Sequence, residues 1–159
     1  FSLLIYAYSR YQKITEVWSA KFAVNGQFSS TALLDSQRFF LTSSAFGSGY
    51  YSGDSGVSSS FELRFDQSLP STFLRGYQLY GFVEAGQVWD YRDTGSPLSL
   101  ASVGGGIRFY LPGQLQAGLA IATPLYDTLN SDTRDYRILF TFSNSFKLCP
   151  EKVRMQCTL

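Results

Sequence analysis

Histidine is absent from this chain of 159 residues. That removes the commonest general base and the commonest metal ligand. Cysteine is nearly absent too, with only Cys149 and Cys157, both close to the C-terminus. Two thiols are too few for a zinc site, but in an oxidising compartment they could close a small disulfide loop. Charged residues make up only 16% of the chain, against the roughly 25% usual in soluble domains. Thirteen basic and twelve acidic side chains leave a net charge of +1. That balance excludes the basic stripe a nucleic-acid binder needs. Nowhere do about 18 apolar residues run unbroken, so no transmembrane helix is expected. The first residues lack the basic region and apolar core of a secretory signal. A chain opening on Phe1 is expected to be part of a longer polypeptide whose signal lies upstream.

Aromatic residues, by contrast, are abundant. They make up 17% of the chain, with fourteen Phe and eleven Tyr, and hydrophobic residues reach 45%. They recur with period two, the spacing that puts alternate side chains on opposite faces of a strand. Near the end, Tyr136, Ile138, Phe140, Phe142 and Phe146 oppose Arg137, Thr141, Ser143 and Ser145. From residue 57 to 66, Val57, Phe61, Leu63 and Phe65 oppose Ser58, Ser60, Glu62, Arg64 and Asp66. Over 100–111, Val103, Ile107, Phe109 and Leu111 oppose Ser102, Gly104, Gly106 and Arg108. Over 114–125, Leu115, Ala117, Leu119 and Ile121 oppose Gln114, Gln116, Gly118, Ala120 and Ala122. Over 79–90, Val83, Ala85 and Trp89 oppose Glu84, although Tyr80 and Phe82 share the inner set. Two earlier strands fit loosely at 1–12 and 17–28.

These patterns predict seven strands of roughly 10–12 residues. Globular strands average about 5–6 residues, whereas a tilted strand needs about 9–11 to cross the hydrocarbon. Length therefore favours an all-β fold, an antiparallel transmembrane β-barrel, of which this chain supplies about seven C-terminal strands. An even strand count requires more strands upstream. Connections alternate between short (12–16 and 110–113) and longer, with 29–56 long and 90–97 and 126–135 polar and of middle length, as in bacterial barrels. The connection at 67–78 falls on the short side and is too long. The tail at 147–159 is not strand-like, and Phe146 is taken as the end of the last strand. A soluble β-sandwich binding module is the rival fold. It predicts that Ile138, Phe140 and Phe142 are buried in a core.

A sequence element narrows the reading. Leu33-Leu34-Asp35-Ser36-Gln37-Arg38-Phe39-Phe40-Leu41 is followed by Phe46-Gly47-Ser48-Gly49-Tyr50, then Ser52-Gly53-Asp54-Ser55-Gly56, then Phe61-Glu62-Leu63-Arg64. Together these resemble the C-terminal barrel region of two-partner-secretion transporters of the haemolysin activator/secretion (ShlB/FhaC-like) family, in the same superfamily as the insertase BamA. The resemblance covers about residues 1–146. It implies a bacterial outer-membrane location, lipid around the barrel, periplasmic POTRA domains upstream, and export of a secreted partner protein. It implies no cofactor and no enzymatic step. A passive porin-like or structural barrel that has lost export is the alternative function.

The resemblance also assigns roles. In that family the long loop, here about 29–56, folds back into the lumen, and an arginine at its tip meets an aspartate on the barrel wall. The loop motif falls on Gly47, Ser48, Gly49 and Tyr50, with Gly53, Asp54 and Gly56 following. The wall motif falls on Phe82, Glu84 and Gly86. Serine thus stands where the family has arginine, and glutamate where it has aspartate. The expectation is that Ser48 hydrogen-bonds Glu84 and that Tyr50 lies near it. Arg75, in Leu74-Arg75-Gly76-Tyr77, imitates the loop motif but sits at a turn on the wrong side of the membrane.

Each of these residues also has a plainer reading. Glu84 could pair with Arg64 or Arg108, and Asp54 could be only a turn residue. Glu62, Arg64 and Arg108 share the lumen face, either as a salt-bridge network or as a tuner of ion preference. Gly104-Gly105-Gly106 lies mid-strand with no Lys-Ser/Thr after it, so it cradles no phosphate. It suits bending or close backbone approach. Asp54 and Glu62 form a glycosidase pair only on paper, and no enzyme activity is expected.

Overall fold

The computed structural model describes residues 2–91, 96–128 and 136–144. Seven of its strands form one antiparallel sheet, built by neighbours in sequence. They are β1 (Leu3–Lys13), β2 (Trp18–Ser29), β5 (Ser55–Ser68), β6 (Gly76–Trp89), β7 (Leu98–Leu111), β8 (Leu115–Asp127) and β9 (Arg137–Asn144). The sheet is open, with β1 and β9 at its edges. Two further strands, β3 (Phe39–Ser43) and β4 (Gly47–Gly53), pair only with each other. Among the described residues there is no α-helix, only single 3-10 turns at Asp35–Gln37 and Pro112–Gln114.

The strands run longer than alternation alone suggests. β5, β6 and β7 have 14 residues each. The overlong connection at 67–78 is thereby shortened, because Gln67 pairs with Tyr77 and Ser68 with Gly76. Its remaining residues close with Leu69 N–H donating to the Arg75 carbonyl at 2.9 Å. Arg75 lies at this turn, the end of the sheet opposite the connection that carries β3 and β4. The tight turn after β7 is Pro112–Gln114, where Gly113 has φ 78 and Gln114 has φ 62. Glycine meets the first of these at no steric cost.

Cross-strand register shows which residues share a face. On β5 to β7, Ser60 pairs with Glu84 and Glu84 with Ser102. Asp66 pairs with Gln78, and Gln78 with Arg108. This polar face continues through Lys21 and Ser19 on β2, opposite Glu62 and Arg64. The other face carries Phe22, Phe61, Val83, Val103 and Thr123 in one row.

Exposure inverts the pattern of a water-soluble sheet. On the central strands, Phe61 is 47% exposed, Leu79 44% and Ile121 51%. Ile138, Phe140 and Phe142 are exposed as well. The β-sandwich alternative, which buries these three, is overturned. The sheet instead has one broad apolar surface, the arrangement lipid stabilises.

The small buried core lies on the polar face. The β3–β4 hairpin folds against β5 and β6 there. Leu41 and Tyr51 of the hairpin pack with Val88 on β6 and Leu100 on β7. Phe39, Phe46 and Leu98 close the cluster. Full burial of a Leu or Val side chain is worth about 1.5–3 kcal/mol. This patch is the apolar part of the hairpin's seat.

The face assignment predicts an asymmetry on β9. Phe140→Arg is expected to cost roughly 2–4 kcal/mol at the membrane midplane, and Thr141→Arg on the opposite face much less. A barrel-folding titration in lipid checks this, and equal losses would refute the assignment.

Candidate functional site: a hairpin held against the polar wall

The hairpin arises where alternation is interrupted. Phe39, Leu41 and Ser43 oppose Gly53, Tyr51 and Gly47, with a register shift between Leu41 and Ser43. The motif Gly47-Ser48-Gly49-Tyr50, expected at the loop tip, instead forms most of β4. The tip itself is residues 44–46, because Ser43 already pairs with Gly47. The side chains of residues 47–49 lie outside the described residues, and with them the expected contact of the Ser48 hydroxyl.

Glu84 receives the tip through Ser44. The Ser44 backbone N–H donates to its carboxylate at 2.7 Å and the Ser44 hydroxyl at 3.0 Å. Ser102, its cross-strand neighbour on β7, donates at 3.1 Å. Ser102 also shares a 2.6 Å contact with the Ser43 hydroxyl. The reading that paired Glu84 with Arg64 or Arg108 is corrected, because both arginines go to Glu62. Two donors from one serine of the tip stand where a guanidinium would supply a fork. Hydrogen bonds to a charged acceptor are worth about 1.5–3 kcal/mol each.

Tyr50 was expected beside Glu84, but it finds a different carboxylate. Its hydroxyl donates to Asp127 on β8 at 3.2 Å, and the Tyr51 hydroxyl also donates to Asp127. Phe46 and Tyr51 each pack within 4.8 Å of the Tyr50 ring. At the base of the hairpin, Asp54 is more than a turn residue. It is buried and accepts the Leu33 N–H at 2.8 Å and the Tyr91 N–H at 2.9 Å. Its own N–H donates to Asp90, which also pairs with Arg38. Gln27 donates to the carbonyls of Gln37 and Asp54, tying β2 to the same knot.

Glycines mark where the hairpin approaches the wall closely. A Cβ on Gly86 would overlap the Leu41 side chain, and one on Gly53 would lie 2.9 Å from the backbone of Trp89. Gly56 stands in the same way against Phe39 and Val88. Along β7, Gly104 leaves room for the Phe82 ring and Gly106 for Tyr80. That is the close approach expected of the triple glycine.

Below the hairpin lies a separate charge cluster. Glu62 bridges Arg64 and Arg108, the latter at 3.1 Å. Arg108 also donates to Gln78, and its guanidinium lies 3.6 Å from the Tyr80 ring centroid. Gln78 in turn donates to Asp66. This is the network geometry rather than a set of unpaired charges. Among the described residues no group of acidic or sulfur ligands could hold a metal ion. Cys149, Cys157 and Phe146 lie outside the described residues.

Sequence reasoning missed Ser44, Ser102, Arg38, Asp90, Tyr51 and Asp127. For Asp127 a signal existed, since alternation fails at Pro124-Leu125-Tyr126, where two large side chains follow one another. Glu84→Ala is expected to strand the Ser44 donors and destabilise the seated hairpin by about 1–3 kcal/mol. Glu84→Gln, which keeps one acceptor oxygen, should lose less. Proteolytic susceptibility of the 39–53 segment ranks the two variants, and equal susceptibility would contradict the geometry.

Comparison with known proteins agrees with this architecture. A family model described as haemolysin secretion/activation protein ShlB/FhaC/HecB matches residues 2–109. Among solved structures, CdiB from Acinetobacter baumannii superposes with a TM-score of 0.68 at 18% identity. The match covers 88% of this chain and 26% of that one. The chain therefore spans about a quarter of the length of that relative. No curated protein matches.

Proposed function

The chain belongs to the haemolysin secretion/activation protein family ShlB/FhaC/HecB, and we propose that its polypeptide is a bacterial outer-membrane translocator exporting a secreted partner protein. The observation that carries this reading is the hairpin seated on the polar face of a sheet whose other face is apolar. A barrel wall closed around that polar face makes the hairpin a plug in the lumen, and lipid contacts the outside. A plug held by hydrogen bonds and a small apolar patch can be displaced without nucleotide hydrolysis. The missing strands, and POTRA domains to receive the partner in the periplasm, belong upstream in the same polypeptide. No catalytic role is assigned to any residue.

A passive porin-like barrel is the second reading. It draws on Ser48, which the family resemblance places where an arginine of the plug lock is expected. The two readings differ in what passes through the pore.

The test combines two assays on the full-length protein. Replacing residues 39–53 by a short Gly-Ser linker is expected to raise single-channel conductance in planar bilayers several-fold. Ser48→Arg, which restores the charge that the family resemblance places at this position, is expected to lower leak. In cells, the secreted protein encoded beside this gene should reach the medium only when the translocator is present. Retention of that partner in the periplasm despite a folded, conducting barrel would establish the passive reading.

A further inference from the structure

The outward residues of β8 follow a strict parity. Leu115, Ala117, Leu119, Ile121 and Thr123 pair in turn with Leu111, Phe109, Ile107, Gly105 and Val103. Continued unchanged, that parity would point Asp127 at the apolar surface, where a carboxylate is desolvated with no partner. The register breaks first. Ser102 pairs with Pro124, but Ala101 pairs with Tyr126, so β8 carries one extra residue. Leu125 and Tyr126 are consecutive and both exposed, at 60% and 57%. Beyond them Asp127 pairs with Leu100, a member of the buried cluster under the hairpin, and is itself 4% exposed. Such a bulge re-aims the side chains that follow it. Pro124 has no N–H to lose from the interrupted ladder.

What the bulge delivers is an acceptor for two phenols. Tyr50 and Tyr51 are adjacent on β4, and both hydroxyls reach the Asp127 carboxylate. Glu84 and Asp90 lie on β6 or just after it, whereas Asp127 is two strands away on β8. The other hairpin contacts lie on β6 and β7, through Glu84, Val88, Ser102 and Leu100, and would leave the hairpin able to swing away from β8. The Asp127 contact opposes the swing.

We propose that Asp127 is a positioning residue, aimed by the β8 bulge, that latches the plug hairpin to the wall through Tyr50 and Tyr51. The inference rests on the reading of the hairpin as a plug, but its test reads hairpin motion rather than export. Hydrogen exchange is followed by mass spectrometry on the full-length protein in lipid nanodiscs. Asp127→Asn is expected to accelerate exchange of the 39–53 amides about tenfold or more, the scale of losing charge-assisted bonds. Exchange in the β5–β8 ladders should stay unchanged. Asp127→Glu, which keeps the carboxylate, should retain the slow exchange.

The double substitution Tyr50→Phe with Tyr51→Phe breaks the contact from the hairpin side and leaves the wall intact. It should reproduce the Asp127→Asn effect, and the two changes combined should add nothing further. Unchanged exchange at 39–53 in both variants would overturn the latch. So would additive effects, or equal acceleration throughout β5–β8, which would mark loss of the wall itself. A translocator that fails to export its partner while showing the expected exchange pattern would count against the proposed function and leave the latch standing.

Discussion

A sheet that meets lipid on one face cannot bury its large apolar side chains in a shared core. They must point outward, and every backbone N–H and C=O must be paired along the strands, because lipid offers no hydrogen bonds. The rest of the structure depends on this constraint. It explains why Phe61, Leu79 and Ile121 are exposed on central strands. It also explains why the strands reach 14 residues and why the polar residues gather on the opposite face. The stabilising core is displaced to that inner face, where the only packed cluster among the described residues forms between hairpin and wall.

That displacement makes the hairpin unusual in its energetics. Its apolar anchor, Leu41 and Tyr51 against Val88 and Leu100, is small. Around it stand carboxylates at separate stations, namely Glu84 at the tip, Asp54 and Asp90 at the base, and Asp127 to the side. Glu84 and Asp127 meet uncharged donors from the hairpin in the described contacts, while Asp90 takes Arg38. A seat made of many moderate bonds suits the proposed plug, which must be held at rest and still be displaced. Each bond is worth little beside the whole, and each can be exchanged for water singly.

The charge cluster of Glu62, Arg64, Arg108, Gln78 and Asp66 solves a different problem. These groups line the polar face away from the hairpin, where isolated charges near lipid-backed strands would be costly. Pairing and the Tyr80 ring satisfy them locally. Glycines at 104 and 106 then leave room for the aromatic rings of β6 to lie against β7.

Much of this was legible in the sequence because period two is a local property. Alternation over Val57–Asp66 or Leu115–Ala122 assigns faces without knowledge of any partner strand. Strand length separated the membrane barrel from a soluble sandwich, and the motif around Ser52–Gly56 and Glu62–Arg64 pointed to the secretion family. For Glu84 the sequence left two readings open, a partner for Arg64 or Arg108 and the wall residue that meets the loop, and the structure shows the loop contact. Its partner in the loop was not legible, because the tip position depends on the β3–β4 register, and pairing Ser43 with Gly47 moved Ser44 to the turn. Asp127 escaped for a related reason, since one extra residue in β8 reverses the faces beyond it. By itself the sequence determined which side chains form the apolar face and which residue types share the polar one, because period two assigns faces within each strand separately. Only the tertiary structure decided which carboxylate holds which hydroxyl, because that depends on register, and a shift of a single residue exchanges every contact.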